Sequence, residues 1–222
     1  MKKLMKLAVV LHLTSVVILA SGMSVAQEEG ESNTFIFTLI QNGVVYLISP
    51  IDGDRDVVTF YDYHSSSGHT PFMEDEASKI YLYKETDGEE VSLVMHHASD
   101  HGELDHYVIK MDFQGLPEEA YIALSDDPSS RELNLAAEPE GDWRHIHNSD
   151  GGVVSGLPVD RNWSITIVPE FVKGIAKWVY LTQTNTGVES IHLDMEKAIR
   201  ISMSQLDGSD GDGCFIGAAA HH

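Results

Sequence analysis

One recurrence constrains this chain more than any other feature. From residue 34 to residue 203, short apolar and β-branched runs return repeatedly, with Gly, Pro, Asn, Asp or Ser in most of the segments between them. Twelve such runs can be marked, at 34–40, 44–49, 57–63, 79–85, 91–97, 104–113, 120–125, 142–147, 163–168, 177–182, 190–195 and 198–203. Runs of this length and composition read as strands. Their period is two: Ile80, Leu82 and Lys84 fall on one side of a strand whose other side carries Tyr81, Tyr83 and Glu85, and Trp163, Ile165 and Ile167 alternate with Ser164, Thr166 and Val168. That pattern predicts one buried face and one partly wet face. Asn42-Gly43 is a two-residue hairpin signal, and Asp52-Gly53 and Asp87-Gly88 are turn joints. Residues 196–205 admit a short amphipathic helix, but the strand reading is favoured because no stretch of the chain sustains a helical period.

The expected fold is therefore all-β: an antiparallel β-sandwich, jelly-roll-like, of about 12 strands over residues 34–203. At 222 residues and 42% hydrophobic content the chain can bury one sizeable core. Two tandem sandwiches are the alternative. There is no internal repeat to support them, and the Pro-containing stretch at 114–119 is too short for a linker.

The termini are of different character. Residues 1–26 combine Lys2, Lys3 and Lys6 with an apolar stretch from Leu7 to Ala20 and small residues up to Ala26, the pattern of a secretory signal peptide. Residues 27–33 are an acidic leader expected to be mobile, and 204–222 a flexible Gly/Asp-rich tail. Cleavage after Ala26 takes the formal charge from −21 to −24, because three lysines leave and no acidic residue does. With 35 acidic against 14 basic residues, a nucleic-acid partner is excluded for want of cations to meet its phosphates. No membrane span is expected after signal cleavage, and the predicted location is secreted or cell-surface. Cys214 is the single cysteine, so no intrachain disulfide supports the fold.

Several groups of residues are chemically suggestive. His145 and His147 flank Ile146, so on a strand both imidazoles share a face and are candidate metal ligands, with His192, His106 or an aspartate as a third. His96, His97, His101 and His106 form a second cluster, without the H-E-x-x-H order of a metalloprotease helix, and a polar hairpin loop is the expected setting. Asp52, Asp54, Asp56, Asp126 and Asp127 are candidate calcium ligands, since a divalent ion would relieve local repulsion while stiffening a loop. No G-x-S-x-G elbow and no phosphate-binding glycine loop is present, and no catalytic residue is assigned. Tyr61, Tyr63, Tyr81, Tyr83, Trp143 and Trp178 offer material for a glycan-binding face, although burial in a core is the stronger expectation for aromatics in such runs. Asn162-Trp163-Ser164 is a glycosylation sequon.

The end of the chain, Gly213-Cys214-Phe215-Ile216 followed by Ala218-Ala219, resembles the GCFIATAA box of CFI-box tails on exported bacterial proteins. There the box follows a Gly/Ser-rich spacer, as residues 207–213 do here, and the resemblance implies sorting or surface attachment through Cys214. The preceding domain is similar to β-sandwich domains of exported microbial proteins that carry a D-D-P turn and a Trp followed by Asp-Gly-Gly, here Asp126-Asp127-Pro128 and Trp143 with Asp150-Gly151-Gly152. The resulting expectation is a non-enzymatic module for binding or surface structure, with a surface glycan or protein as partner and calcium as a stabiliser. The alternative is a metal-dependent enzyme or metal-binding protein built on His145 and His147.

Overall fold

A computed structural model describes residues 34–98, 106–126, 132–146 and 148–206. The expected signal peptide and leader and residues 207–222 of the expected tail, together with His101, Asp127, His147 and Cys214, lie outside the described residues, whereas residues 204–206, expected as the start of that tail, continue a strand. The elements in chain order are β1 (Thr34–Gln41), β2 (Val44–Ile48), β3 (Ile51–Gly53), α1 (Val57–Tyr61), β4 (Ala77–Glu85), β5 (Glu90–His97), β6 (Tyr107–Gln114), β7 (Tyr121–Ser125), β8 (Leu133–Asn134), β9 (Glu140–His145), β10 (Asp150–Pro158), β11 (Trp163–Lys173), β12 (Lys177–Thr184), β13 (Gly187–Leu193) and β14 (Ile199–Leu206).

The fourteen strands form a sandwich of two seven-stranded sheets. The first runs β2-β1-β14-β11-β6-β9-β8, and the second runs β13-β12-β4-β5-β10-β7 with β3 paired to β4. Pairing is antiparallel except where β12 and β3 lie parallel to β4. Asn42 and Gly43 both take positive φ, 53° and 78°, and close the β1–β2 hairpin as an Asn-Gly pair should. Of the stretch 196–205, residues 199–205 lie in β14 rather than a helix, and the strand pairs on both sides, with β1 and with β11.

Two departures from expectation share one cause. Residues 57–63 were predicted as a strand, yet Val57–Tyr61 is a helical turn. Asp56 caps it, accepting from Thr59 N at 2.9 Å and Thr59 Oγ1 at 2.6 Å, and Asp62 in the left-handed region ends it. The β-branched pair Val57-Val58 favours extended structure, but the local cap and tertiary burial of Tyr61 override that preference. The same segment corrects the prediction of a partly wet face on 79–85. Ile80 and Leu82 enter the core between the sheets, while Tyr81 and Tyr83 enter a second cluster outside the second sheet, with Ile51, Val94, Val153, Val179 and Leu181. Val57, Phe60, Tyr63 and Phe72 pack on that cluster from the 54–76 connection. The second sheet is thus covered on both faces at its centre.

Strands β3, β8 and β10 were not anticipated. In β10, the run Asp150-Gly151-Gly152 looks like a loop, but its glycines permit close approach. Gly151 has φ +154°, and a Cβ there would collide with the Met95 carbonyl and the Tyr61 hydroxyl.

Candidate functional site

The concavity with the most distinctive chemistry is a groove of about 660 Å³ formed where two connections meet, the β6–β7 segment at 115–120 and the approach to β9 at 135–140. Phe113, at the end of β6, is buried beneath it, and Leu116, Pro117, Ala120 and Leu135 supply partly buried apolar wall. The walls are tied together by main chain: Phe113 N–H donates to Pro139 O at 2.9 Å and Ala120 N–H to Pro117 O at 3.0 Å. Gly115, at φ +78°, lies where a Cβ would strike the Ser164 carbonyl, so the turn that shapes the wall is fitted to glycine. Four exposed carboxylates, Asp112, Glu118, Glu138 and Glu140, line the groove, with no Lys or Arg among its described lining residues. Such a surface favours a cation carried on an apolar stem: carboxylates meet the charge, and apolar wall covers the stem.

A second concentration of polar chemistry is buried. At one end of the sandwich His145, from β9, stacks on Tyr107 with ring centroids 4.7 Å apart, and His97, from β5, lies against Trp143 at 4.5 Å. His145 Nδ1 is 2.6 Å from Asn148 O. A carbonyl can only accept, so Nδ1 carries the proton and Nε2 presents a lone pair. Among the described residues that Nε2 is buried without a hydrogen-bond partner, and so is His97 Nε2, while His97 Nδ1 sits 3.0 Å from Ser78 Oγ. Burial pushes the His145 imidazole down to about 4, with the His106 charge adding to the effect and the Asn148 bond opposing it. Burial likewise holds His97 well below the ordinary histidine value, assisted by His145 and His96. Both rings are neutral at pH 7.

Beneath the 54–76 cover lies a third polar group. Tyr61 O–H donates to Asp126 Oδ2 at 3.1 Å, and its ring meets His96 edge-on at 5.6 Å. Burial, then the charges of Asp126 and Asp150, hold the Tyr61 phenol well above its usual value, so it acts as a donor. Ser67 Oγ and Ser149 Oγ are 2.7 Å apart, and Ser149 Oγ donates to Gly68 O at 2.6 Å. These bonds pin the cover to Asp126, just past β7, and to Ser149, just before β10.

The residues singled out in the sequence are thereby dispersed. Asp56 is occupied as the cap of α1, and its carboxyl is held below the usual value first by the Thr59 side chain and then by the Thr59 N–H. Asp52 and Asp54 line a separate concavity of about 640 Å³ beside His69 and Asp62, with Asp54 paired to Arg55 at 3.2 Å. Asp126 is buried against Tyr61. His192 is exposed on the edge strand β13, whereas His106 is electrostatically coupled to His145. Among the described residues, no group of three or more His, Cys, Asp or Glu is arranged to hold a metal ion. Of the aromatics, Tyr61, Tyr81, Tyr83, Trp143 and Trp178 are buried, as the core expectation had it.

The groove itself was missed. Its signal lies in two short segments, Leu116-Pro117-Glu118-Glu119 and Glu138-Pro139-Glu140, where proline and glutamate recur together at two connections. Sequence spacing gives no reason to bring them to one place; the β6–β9 pairing does so, by aligning Asp112 with Glu140.

The protein is an all-β sandwich of two stacked seven-stranded sheets. No family model, no curated protein and no solved structure matches it.

Proposed function

We propose that this chain is a secreted or cell-surface, non-enzymatic binding module, and that its groove takes a cationic group on an apolar stem, as on a Lys- or Arg-bearing protein segment. The observation that carries this is the set of Asp112, Glu118, Glu138 and Glu140 around apolar wall, with no cation among the described lining residues. Calorimetric titration with a short Lys/Leu peptide, against its Gln/Leu counterpart, tests it. The cationic peptide binds, the neutral one does not, and Glu138→Gln/Glu140→Gln weakens binding severalfold with a shallower salt dependence. Equal binding of both peptides, or an unchanged double variant, overturns the proposal.

The address of the module rests on the charged-then-apolar start of the chain and on the CFI-box-like end at Gly213-Cys214-Phe215-Ile216. Under this proposal Cys214 retains the protein at the surface. Wild-type and Cys214→Ser chains then partition differently between cells and medium, and identical partition refutes attachment.

The alternative is a metal-binding protein or metal-dependent enzyme using His145 and His147. It is favoured by one observation: His145 donates its Nδ1 proton to a carbonyl and leaves a buried Nε2 lone pair, the arrangement that metal-ligating histidines adopt. Titration with Zn²⁺ tests it: stoichiometric binding lost in His145→Ala supports the alternative, and none in the wild type removes it.

A further inference from the structure

Residues 34–51, comprising β1, the Asn-Gly turn, β2 and the first residue of β3, contain no charged side chain, in a chain that is 22% charged and carries a formal −21. This stretch includes β2, an edge of the first sheet. Val44, Val45 and Leu47 are exposed there, Leu47 at 71%, while Tyr46 and Ile48 turn inward. Exposed edges are normally blunted with Lys, Glu, Pro or a covering segment. The other edges follow that practice: β8 is two residues long and β3 three, β13 carries Glu189, and β7 has α1 and β8 against it. Among the described residues, β2 follows none of it.

The hairpin fixes which backbone groups are open. In a two-residue hairpin the closing pair, here Gln41 and Val44, exchanges both hydrogen bonds, and alternate pairs do the same, so Leu39–Tyr46 and Phe37–Ile48 are bonded pairs. The N–H and C=O of Val45 and Leu47 therefore point away from β1, toward the open edge. The strand is also self-complementary. A two-fold axis at Tyr46 sets Val45 opposite Leu47 of a second copy and Val44 opposite Ile48, apolar against apolar in both directions.

We propose that β2 pairs antiparallel with β2 of a second copy of this chain about a two-fold axis at Tyr46. Val45 and Leu47 of each copy exchange main-chain hydrogen bonds with Leu47 and Val45 of the other, giving four across the axis. The two first sheets become one continuous sheet. Electrostatics selects the same surface: two copies of charge −21 repel, and this charge-free hairpin lets them approach with the least opposition. Salt, by screening that repulsion, strengthens the pair.

Sedimentation velocity under reducing conditions, which removes any link through Cys214, tests this on protein purified after expression of the full chain. The expected result is a concentration-dependent dimer that tightens with salt and falls to half its mass in Val45→Lys/Leu47→Lys, with unchanged circular dichroism. Leu47→Pro, which removes only an outward N–H, has the same effect. Amide exchange provides a readout independent of those variants: Val45 and Leu47 become protected as protein concentration rises, while Tyr46 is protected throughout. A monomer at every concentration and salt, a dimer indifferent to both variants, or exchange at Val45 and Leu47 that ignores concentration overturns the proposal.

Discussion

The two sheets carry the same period-two pattern and meet different fates. In the first, β6, β11 and β14 alternate buried and more exposed residues along most of their length, with one face on the core and one toward water. In the second, β5 is buried from Val91 to His97 and β10 from Asp150 to Leu157, because the 54–76 connection lies over the outer face. Burial on both faces is thus imposed by a connection that brings its own apolar residues, and its consequence is polar. A cover laid on a sheet must satisfy the groups it shuts in, and Tyr61–Asp126 and Ser67–Ser149 are bonds of that kind. The first sheet's outer face needs no such bonds, since water serves it.

The comparison implies unequal costs for deleting aromatics on either side. Trp143→Ala empties the centre of the core between the sheets and removes the indole N–H that donates to Gly151 O at 3.0 Å. It should cost about 3–5 kcal/mol in urea unfolding. Phe60→Ala, in the cover, removes a ring stacked on Tyr83 at 4.4 Å but is only partly buried, and should cost about half as much. Equal costs for the two would mean that the cover is as integral to the cooperative unit as the interior.

Acid probes the junction where the two sheets meet through His97 and His145. His145 titrates near 4 in the folded chain and near its ordinary 6.5 when unfolded, so below pH 6.5 the unfolded state binds the extra proton. Its contribution is full above about pH 7 and is lost as pH falls from 6.5 toward 4, at up to about 1.4 kcal/mol per pH unit. His97 shifts in the same direction. Between pH 7 and pH 5 the wild type should lose about 2 kcal/mol more than His145→Gln. Parallel profiles for the two proteins would show that His145 does not carry the acid sensitivity.

How much of this was legible in the sequence depends on where each residue's partner lies. Alternation marks strands because it is local, and Asn42-Gly43 marks a hairpin because the turn geometry is set by those two residues. Tyr81 reads as half-wet because the residues that cover it, Phe60 and Phe72, come from a connection that alternation cannot connect to it. Val57-Val58 reads as strand because propensity is averaged over environments, whereas here Asp56 and the burial of Tyr61 decide. Gly151 and Gly152 read as loop because glycine's meaning inside a strand, close approach of another chain segment, is visible only once Met95 and Tyr61 are in place beside Gly151 and Leu124 and Leu133 beside Gly152. The acidic groove depends on β6–β9 register, which no pattern in either connection encodes.

A smaller effect should come from the bond that ties cover to sheet. Tyr61→Phe keeps the ring and removes the donor to Asp126, at a cost of about 1–2 kcal/mol. Amide exchange should show that cost as faster opening of residues 57–76, with the first sheet unaffected. Uniform loss of protection across both sheets would erase the distinction between cover and core.

The smallest effect separates two meanings of the Asp52-Gly53-Asp54-Arg55-Asp56 stretch. As the cap of α1, Asp56 satisfies the Thr59 N–H, and Asp56→Ala should lower stability by about 1 kcal/mol through fraying of the cover's only helical turn among the described residues. As a calcium ligand, it would lower stability only when calcium is present. Thermal melts of wild type and Asp56→Ala, each with calcium and with EDTA, discriminate the two. A cap gives the same difference between the proteins in both buffers, because the Thr59 bond involves no ion. A difference that appears only with calcium would assign the loop to ion binding and would leave Asp52 and Asp54, at the rim of the adjacent concavity, as its other oxygen donors. The bonded geometry of Asp56, both of whose oxygens already accept from Thr59, favours the buffer-independent outcome.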